Sequence, residues 1–107
     1  MDESINRWER ISELVQRSRS GDQESFRELL ETHRSAVTST LFACGVRCEE
    51  TARDLAQDVA IKAWTRLDTL KEARTFPAWI RRIAANAARD ELRRHSVRRE
   101  DALDDAI

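Results

Sequence analysis

The sequence predicts an all-α fold, a compact bundle of about four helices. Among its 107 residues only two are glycine and one is proline, so little interrupts a helix. Alanine, leucine, glutamate and arginine are frequent, and charged residues make up 36%, a mixture that favours helices over a sheet. Apolar residues return every three or four positions in successive segments, the period of a helix with one buried face. The length suits one domain with one modest core.

The first helix is predicted over about residues 4–18, where Ile5, Trp8, Ile11, Leu14 and Val15 share a face. It stops at Ser18-Arg19-Ser20-Gly21, a turn-forming run. Asp22 is placed to cap the second helix, with Glu24 in its first turn. Phe26, Leu29, Leu30, His33, Val37 and Leu41 form the inner stripe of that helix, and Gly45 ends it near Cys44. Val37-Thr38-Ser39-Thr40 is a poor helix former that packing must hold. The third helix is expected from about Glu49 to Leu67, with Ala52, Leu55, Ala56, Val59 and Ala63 inward. Asp68 to Thr75 reads as a loop with few apolar anchors. The fourth helix opens at Thr75-Phe76-Pro77, since proline fits a first turn, and should run to about Arg94. The acidic segment 100–107, Glu100-Asp101-Ala102-Leu103-Asp104-Asp105 and beyond, reads as a tail or the start of a linker.

The net charge of -1 conceals strong local asymmetry. Of the 19 basic residues 17 are arginine, with Lys62 and Lys71 the two lysines. Arginine presents a planar fork of donors suited to phosphates and base edges. No apolar run is long enough to span a bilayer, and the acidic start Met1-Asp2-Glu3 is unlike a signal peptide. A cytoplasmic location without membrane insertion follows, and with it reduced thiols at Cys44 and Cys48.

On a helical wheel of roughly 100° per residue, Ile80, Ile83, Ala84 and Ala87 fall on one side of the fourth helix. Arg82, Asn86, Arg89 and Arg93 fall together on the other, with Trp79 near them. Seven arginines face only Asp90 and Glu91 between Trp79 and Arg99. Such a stripe concentrates positive potential and attracts phosphates. Asparagine can pair with adenine, and an exposed indole can stack on an unpaired base. Arginine-rich helices also bind acidic proteins or membrane surfaces, and a plain solvated face is the simpler reading. On the third helix Asp54, Gln57, Asp58 and Ile61 share a face away from the core stripe. An isolated exposed isoleucine is ordinary, but an apolar centre flanked by hydrogen-bonding groups is also how one helix docks another. Position alone leaves both readings open.

Three segments in order, Gly21-Asp-Gln-Glu-Ser-Phe26, Asp54-Leu-Ala-Gln-Asp-Val-Ala-Ile-Lys-Ala-Trp64 and Phe76-Pro-Ala-Trp-Ile-Arg-Arg-Ile-Ala-Ala-Asn-Ala-Ala-Arg-Asp-Glu-Leu-Arg-Arg94, resemble region 2 of bacterial sigma factors. The resemblance is closest to the extracytoplasmic-function (ECF) group of the sigma-70 family and covers about residues 20–99, after an N-terminal helix in 1–19. It implies a helical domain that binds the clamp helices of the RNA polymerase β′ subunit through the face matching Asp54, Gln57, Asp58 and Ile61. It also implies recognition and melting of the promoter −10 element as a single non-template strand, with one base flipped into a pocket. By position, Lys71, Arg74 and Phe76 would lie near that base. Trp79, Arg82, Asn86 and Arg89 would line the strand, and Arg93 would meet phosphate. An anti-sigma factor is a further partner the family implies, while no cofactor and no catalytic residue are expected.

Asp58 stands where the family usually has glutamate, and Ala60 where it commonly has a large apolar residue. A complete ECF sigma factor continues into a helical region 4, and no segment of the 107 residues resembles it. A rival reading is therefore a sigma-like interaction module that binds polymerase or an anti-sigma factor without reading a promoter. A plain helical bundle with a decorated surface is the third. Cys44 and Cys48, with His33 upstream, invite a metal reading, but zinc sites usually show tighter cysteine pairs and a second pair elsewhere. Asp90-Glu91 and Asp104-Asp105 are neighbours in sequence and do not face one another on a helix. With no glycine-rich phosphate loop and no nucleophile motif, an enzyme is not expected.

Overall fold

A computed structural model describes residues 3–106, with side chains described over 6–103. Four α-helices follow one another: α1 (Glu3–Arg19), α2 (Gln23–Ala43), α3 (Glu49–Thr65) and α4 (Phe76–Ala106). Two short 3-10 turns, Leu67–Thr69 and Ala73–Thr75, join α3 to α4. Helix α2 lies at the centre, packed on α1, α3 and α4, and α4 also packs along α3.

Both glycines end a helix in the same way. Gly21 and Gly45 take φ values of 97° and 109°, the left-handed region that a Cβ disfavours. At the end of α2 the amide of Val46 donates to the carbonyl of Leu41 at 3.1 Å and that of Gly45 to Phe42 at 3.0 Å, a Schellman motif. At the end of α1 the amides of Asp22 and Gly21 repeat it on Arg17 and Ser18. Val46 is buried behind its turn, and a Cβ on Gly45 would come within 2.9 Å of Leu92 on α4. The second turn thus also sets how closely α4 approaches. Asp22 caps α2 as expected, accepting from the amides of Glu24 and Ser25 and from the Ser25 hydroxyl at 2.8 Å. Those bonds, the Ser25 hydroxyl foremost, hold the Asp22 carboxyl below its ordinary 3.8.

The core draws on every helix. Val15, Leu29, Leu41, Val59, Phe76 and Ile80 are its largest fully buried side chains. Each contributes about 1.5–3 kcal/mol by leaving water. Ala84, Ala87 and Ala88 are buried too, and their small side chains let α4 lie close to α2 and α3. Val37 and Leu41 are buried in the weakly helical end of α2, so packing holds it, and Thr40 bonds back to the Ala36 carbonyl.

Four expectations about the fold change. Trp8 does not join the inner stripe of α1: it is 46% exposed, one turn before Ile11, the first residue of α1 that the core buries. The side chain of Ile5 lies outside the described residues, as do those of Asp104 and Asp105. Leu30 and Ala56 are only partly buried, at the edge of the core. The segment after α3 is not a loosely anchored loop, because Leu67 and Leu70 are buried and the two 3-10 turns hold it against the bundle. α3 accordingly stops at Thr65 rather than Leu67. Finally, α4 does not end near Arg94: the helix runs on through the acidic segment to Ala106. Nothing in residues 78–106 is glycine or proline, and Arg93–Asp90, Arg94–Glu91 and Arg98–Glu91 pairs at 3.1–3.6 Å line the extension.

Candidate nucleic-acid interface

The outer face of α4 is built by the same periodicity that builds the core. Ile80, Ala84, Ala87 and Ala88 point inward, and this turns Arg82, Asn86, Arg89 and Arg93 to solvent. Arg82 makes no ion pair among the described residues. Arg89 donates to the side-chain oxygen of Asn86 at 3.5 Å, which leaves the Asn86 amide hydrogens unengaged. Arg93 pairs with Asp90 at 3.2 Å, with the arginine side chain 73% exposed. Exposed pairs of this kind are worth at most about 1 kcal/mol, so a phosphate can replace the carboxylate at little cost.

Trp79 is half-buried, its ring 5.7 Å from that of Phe76 and tilted by 45°. Phe76, placed near the flipped base by position, is fully buried beneath this surface. Its ring forms the floor on which the site rests, with Trp79 on one side and the edge of His33 at 5.0 Å on the other. His33 is itself buried, its Nδ1–H donating to the Leu29 carbonyl at 2.8 Å, and its Nε2 has no partner. Burial lowers its pKa from the usual 6.5, and the positive charges of Arg7 and Arg81 add to this against the raising effect of the Leu29 carbonyl. His33 is therefore a core residue whose neutral form burial favours. Cys44 is half-buried and Cys48 exposed, both as free thiols.

Lys71 and Arg74 are exposed on the segment leading into α4, with Arg74 paired to Glu72 at 3.3 Å. This segment is rigidly held, because Thr75 bonds to the Glu72 carbonyl at 2.6 Å and Leu70 is anchored in the core.

On α3, Asp54, Gln57, Asp58 and Ile61 are all exposed, Ile61 by 59%. Neither Asp54 nor Asp58 is ion-paired among the described residues. Trp64, one turn further on, is 39% exposed and packs its ring 4.9 Å from Phe26. Sequence reasoning passed over it as a surface residue, although its spacing of three from Ile61 was the available signal.

Comparison with known proteins fits this geometry. The sigma-70 region 2 family model matches residues 29–98. The chain is 35% identical over 85 residues to the RNA polymerase sigma factor NccH of Alcaligenes xylosoxydans xylosoxydans, covering 79% of this chain and 45% of that protein. It is 34% identical over 79 residues to the ECF sigma-E factor of Escherichia coli K12, covering 74% and 40%. It thus spans less than half the length of either relative. Among solved structures, an engineered region 2 of sigmaE in complex with GTAAAA superposes with a TM-score of 0.73 at 31% identity, over 81% of this chain and 90% of that one. CnrH in complex with the cytosolic domain of CnrY gives a TM-score of 0.69 at 32% identity, over 76% and 52%. From its helical architecture, its two decorated faces and the span of the family match, the chain belongs to the sigma-70 region 2 family, in the ECF group.

Proposed function

We propose that this chain acts in transcription initiation as the sigma region that joins core RNA polymerase to the opened −10 element of a promoter. The observation that carries the reading is the solvent-facing stripe of Arg82, Asn86, Arg89 and Arg93 on α4, packed beside a helix that exposes Asp54, Gln57, Asp58 and Ile61. In this reading α3 docks on the clamp helices of β′, with Ile61 as the apolar centre and the carboxylates around it. Lys71 and Arg74 approach the flipped base, Trp79 and Asn86 meet bases of the non-template strand, and the arginines hold its phosphates.

Melting costs a few kcal/mol for each base unstacked and unpaired. Stacking on an aromatic ring returns about 1–3 kcal/mol per base, and phosphate contacts add an attraction that falls with salt. Binding energy suffices, and no covalent step is assigned to any residue. The site of action is the cytoplasm, where polymerase works, and no described helix is long and apolar enough to cross a membrane. The sigmaE region 2 structure with GTAAAA supports the strand contact, and the CnrH–CnrY complex supports an anti-sigma factor as a further partner. A module that bound polymerase without reading DNA would leave the unengaged Asn86 amide and the arginine stripe without a task.

The test is reconstitution with core polymerase on a mixed promoter library, followed by permanganate mapping of unpaired thymines. Opening confined to a −10 region, lost in Arg82→Ala and Asn86→Ala, is the expected result. Polymerase binding with no opened strand would sink the reading.

A further inference from the structure

Trp8 is the large aromatic residue that the fold leaves most open, and its position is not random. It stands on α1 at the point where that helix packs against the 3-10 turn Ala73–Thr75, directly before the start of α4. With Glu9, Arg74 and Thr75 it lines a shallow hollow of about 450 Å³ whose walls are almost wholly apolar.

The surroundings specify the occupant. Arg7 is exposed beside Trp8 in the chain, and Arg81 is exposed on α4. Arg74 joins them from the turn, held by a single exposed pair with Glu72. A ligand that is flat and apolar on its face, polar at its edge and negatively charged along its backbone meets each of these features. Arg74, whose side chain is 74% exposed, can donate to ring acceptors or a phosphate. The hollow also adjoins the proposed strand surface, because it is lined by Arg74, which the reading above places at the flipped base.

We infer that Trp8 is a second stacking platform, which receives one unpaired nucleobase of the strand that α4 holds, beyond the bases met by Trp79 and Asn86. This rests on the single-strand reading above. It places the N-terminal helix in the nucleic-acid interface, where the resemblance to region 2 assigns no residue.

Stacking is tolerant of base identity, so a mixed-sequence single-stranded oligodeoxynucleotide is a sufficient probe, with an abasic sugar-phosphate strand of equal length as its control. Trp8→Leu keeps apolar bulk without an aromatic plane, and Trp8→Phe keeps a plane. The expected result is a loss of about tenfold in affinity for Trp8→Leu, mostly restored in Trp8→Phe and absent on the abasic strand. The loss should persist at every salt concentration with the slope of log K against log salt unchanged, whereas Arg82→Ala should flatten that slope. If the wild-type chain binds strand and Arg82→Ala weakens it, but Trp8→Leu binds as tightly as wild type, the Trp8 platform is wrong and the α4 interface stands. A loss for Trp8→Leu that is equal on the abasic strand also overturns it. If the wild-type chain binds no single strand, both readings fall.

Discussion

Two neighbouring helices expose faces of opposite chemistry. The face of α3 sets two unpaired carboxylates and an amide around an exposed isoleucine, with a half-exposed tryptophan one turn away. The stripe of α4 has no such apolar centre: three arginines flank one asparagine. An apolar centre with a polar surround suits a protein helix, because desolvating it yields free energy and the rim fixes register. A stripe of guanidinium groups suits a polyanion, because its attraction is long-ranged and phosphate replaces the weak ion pair that Arg93 makes with Asp90. In the proposed reading, partner type follows from whether a face is centred on an apolar side chain or lined with guanidinium groups.

The sharpest way to break that contrast is to reverse a charge on α3. Asp58→Arg should weaken binding to core polymerase by about 100-fold or more, since reversing a charge within a docking face can cost several kcal/mol. Retained capture of core polymerase would refute that face. On α4, Asn86→Ala should reduce promoter-strand binding by about tenfold while polymerase binding is unchanged. Arg82→Ala should do so in a salt-dependent manner, lowering the slope by about one. Equal loss in both assays from either substitution would show that the faces do not act separately.

Substitutions beneath the surface should weaken both faces together. Gly45→Ala forces a side chain into left-handed backbone and towards Leu92, at a cost of about 1–3 kcal/mol. Its thermal midpoint should fall, with polymerase and strand binding declining in proportion. The smallest expected effect is on pH. Folding keeps His33 neutral by lowering its pKa, so the unfolded chain takes up a proton near 6.5 before the folded chain does. Stability is then complete above pH 6.5 and declines as pH falls below it, through the folded-state pKa. Asp22 opens a separate, more acidic window: its folded pKa lies below 3.8, so its contribution holds above that value and is lost beneath it. Thermal midpoints measured between pH 7 and 5 should decline in the wild type and stay flatter in His33→Gln. Identical profiles would remove His33 as the source.

Much of this was legible beforehand because helical periodicity is local. The inward set Ile80, Ile83, Ala84 and Ala87 fixed the outward set Arg82, Asn86, Arg89 and Arg93 without knowledge of any neighbour. The four residues exposed on α3 followed in the same way. The capping of α2 by Asp22 needed only a side chain and two amides. What failed depended on distance along the chain. Leu70 was hidden in a polar-looking segment because its anchor is the folded bundle rather than its sequence neighbours.

Sequence by itself therefore determined that the chain is helical, where three of its helices begin and which side of α4 is basic, since those follow from residue spacing and short-range hydrogen bonds. Tertiary structure alone decided that Phe76 belongs to the core and Trp8 to the surface, although both are aromatic residues in helical segments. Burial depends on what packs against a residue. Phe76 packs against His33 of α2 and the ring of Trp79, while Trp8 lines an open hollow beside the turn Ala73–Thr75.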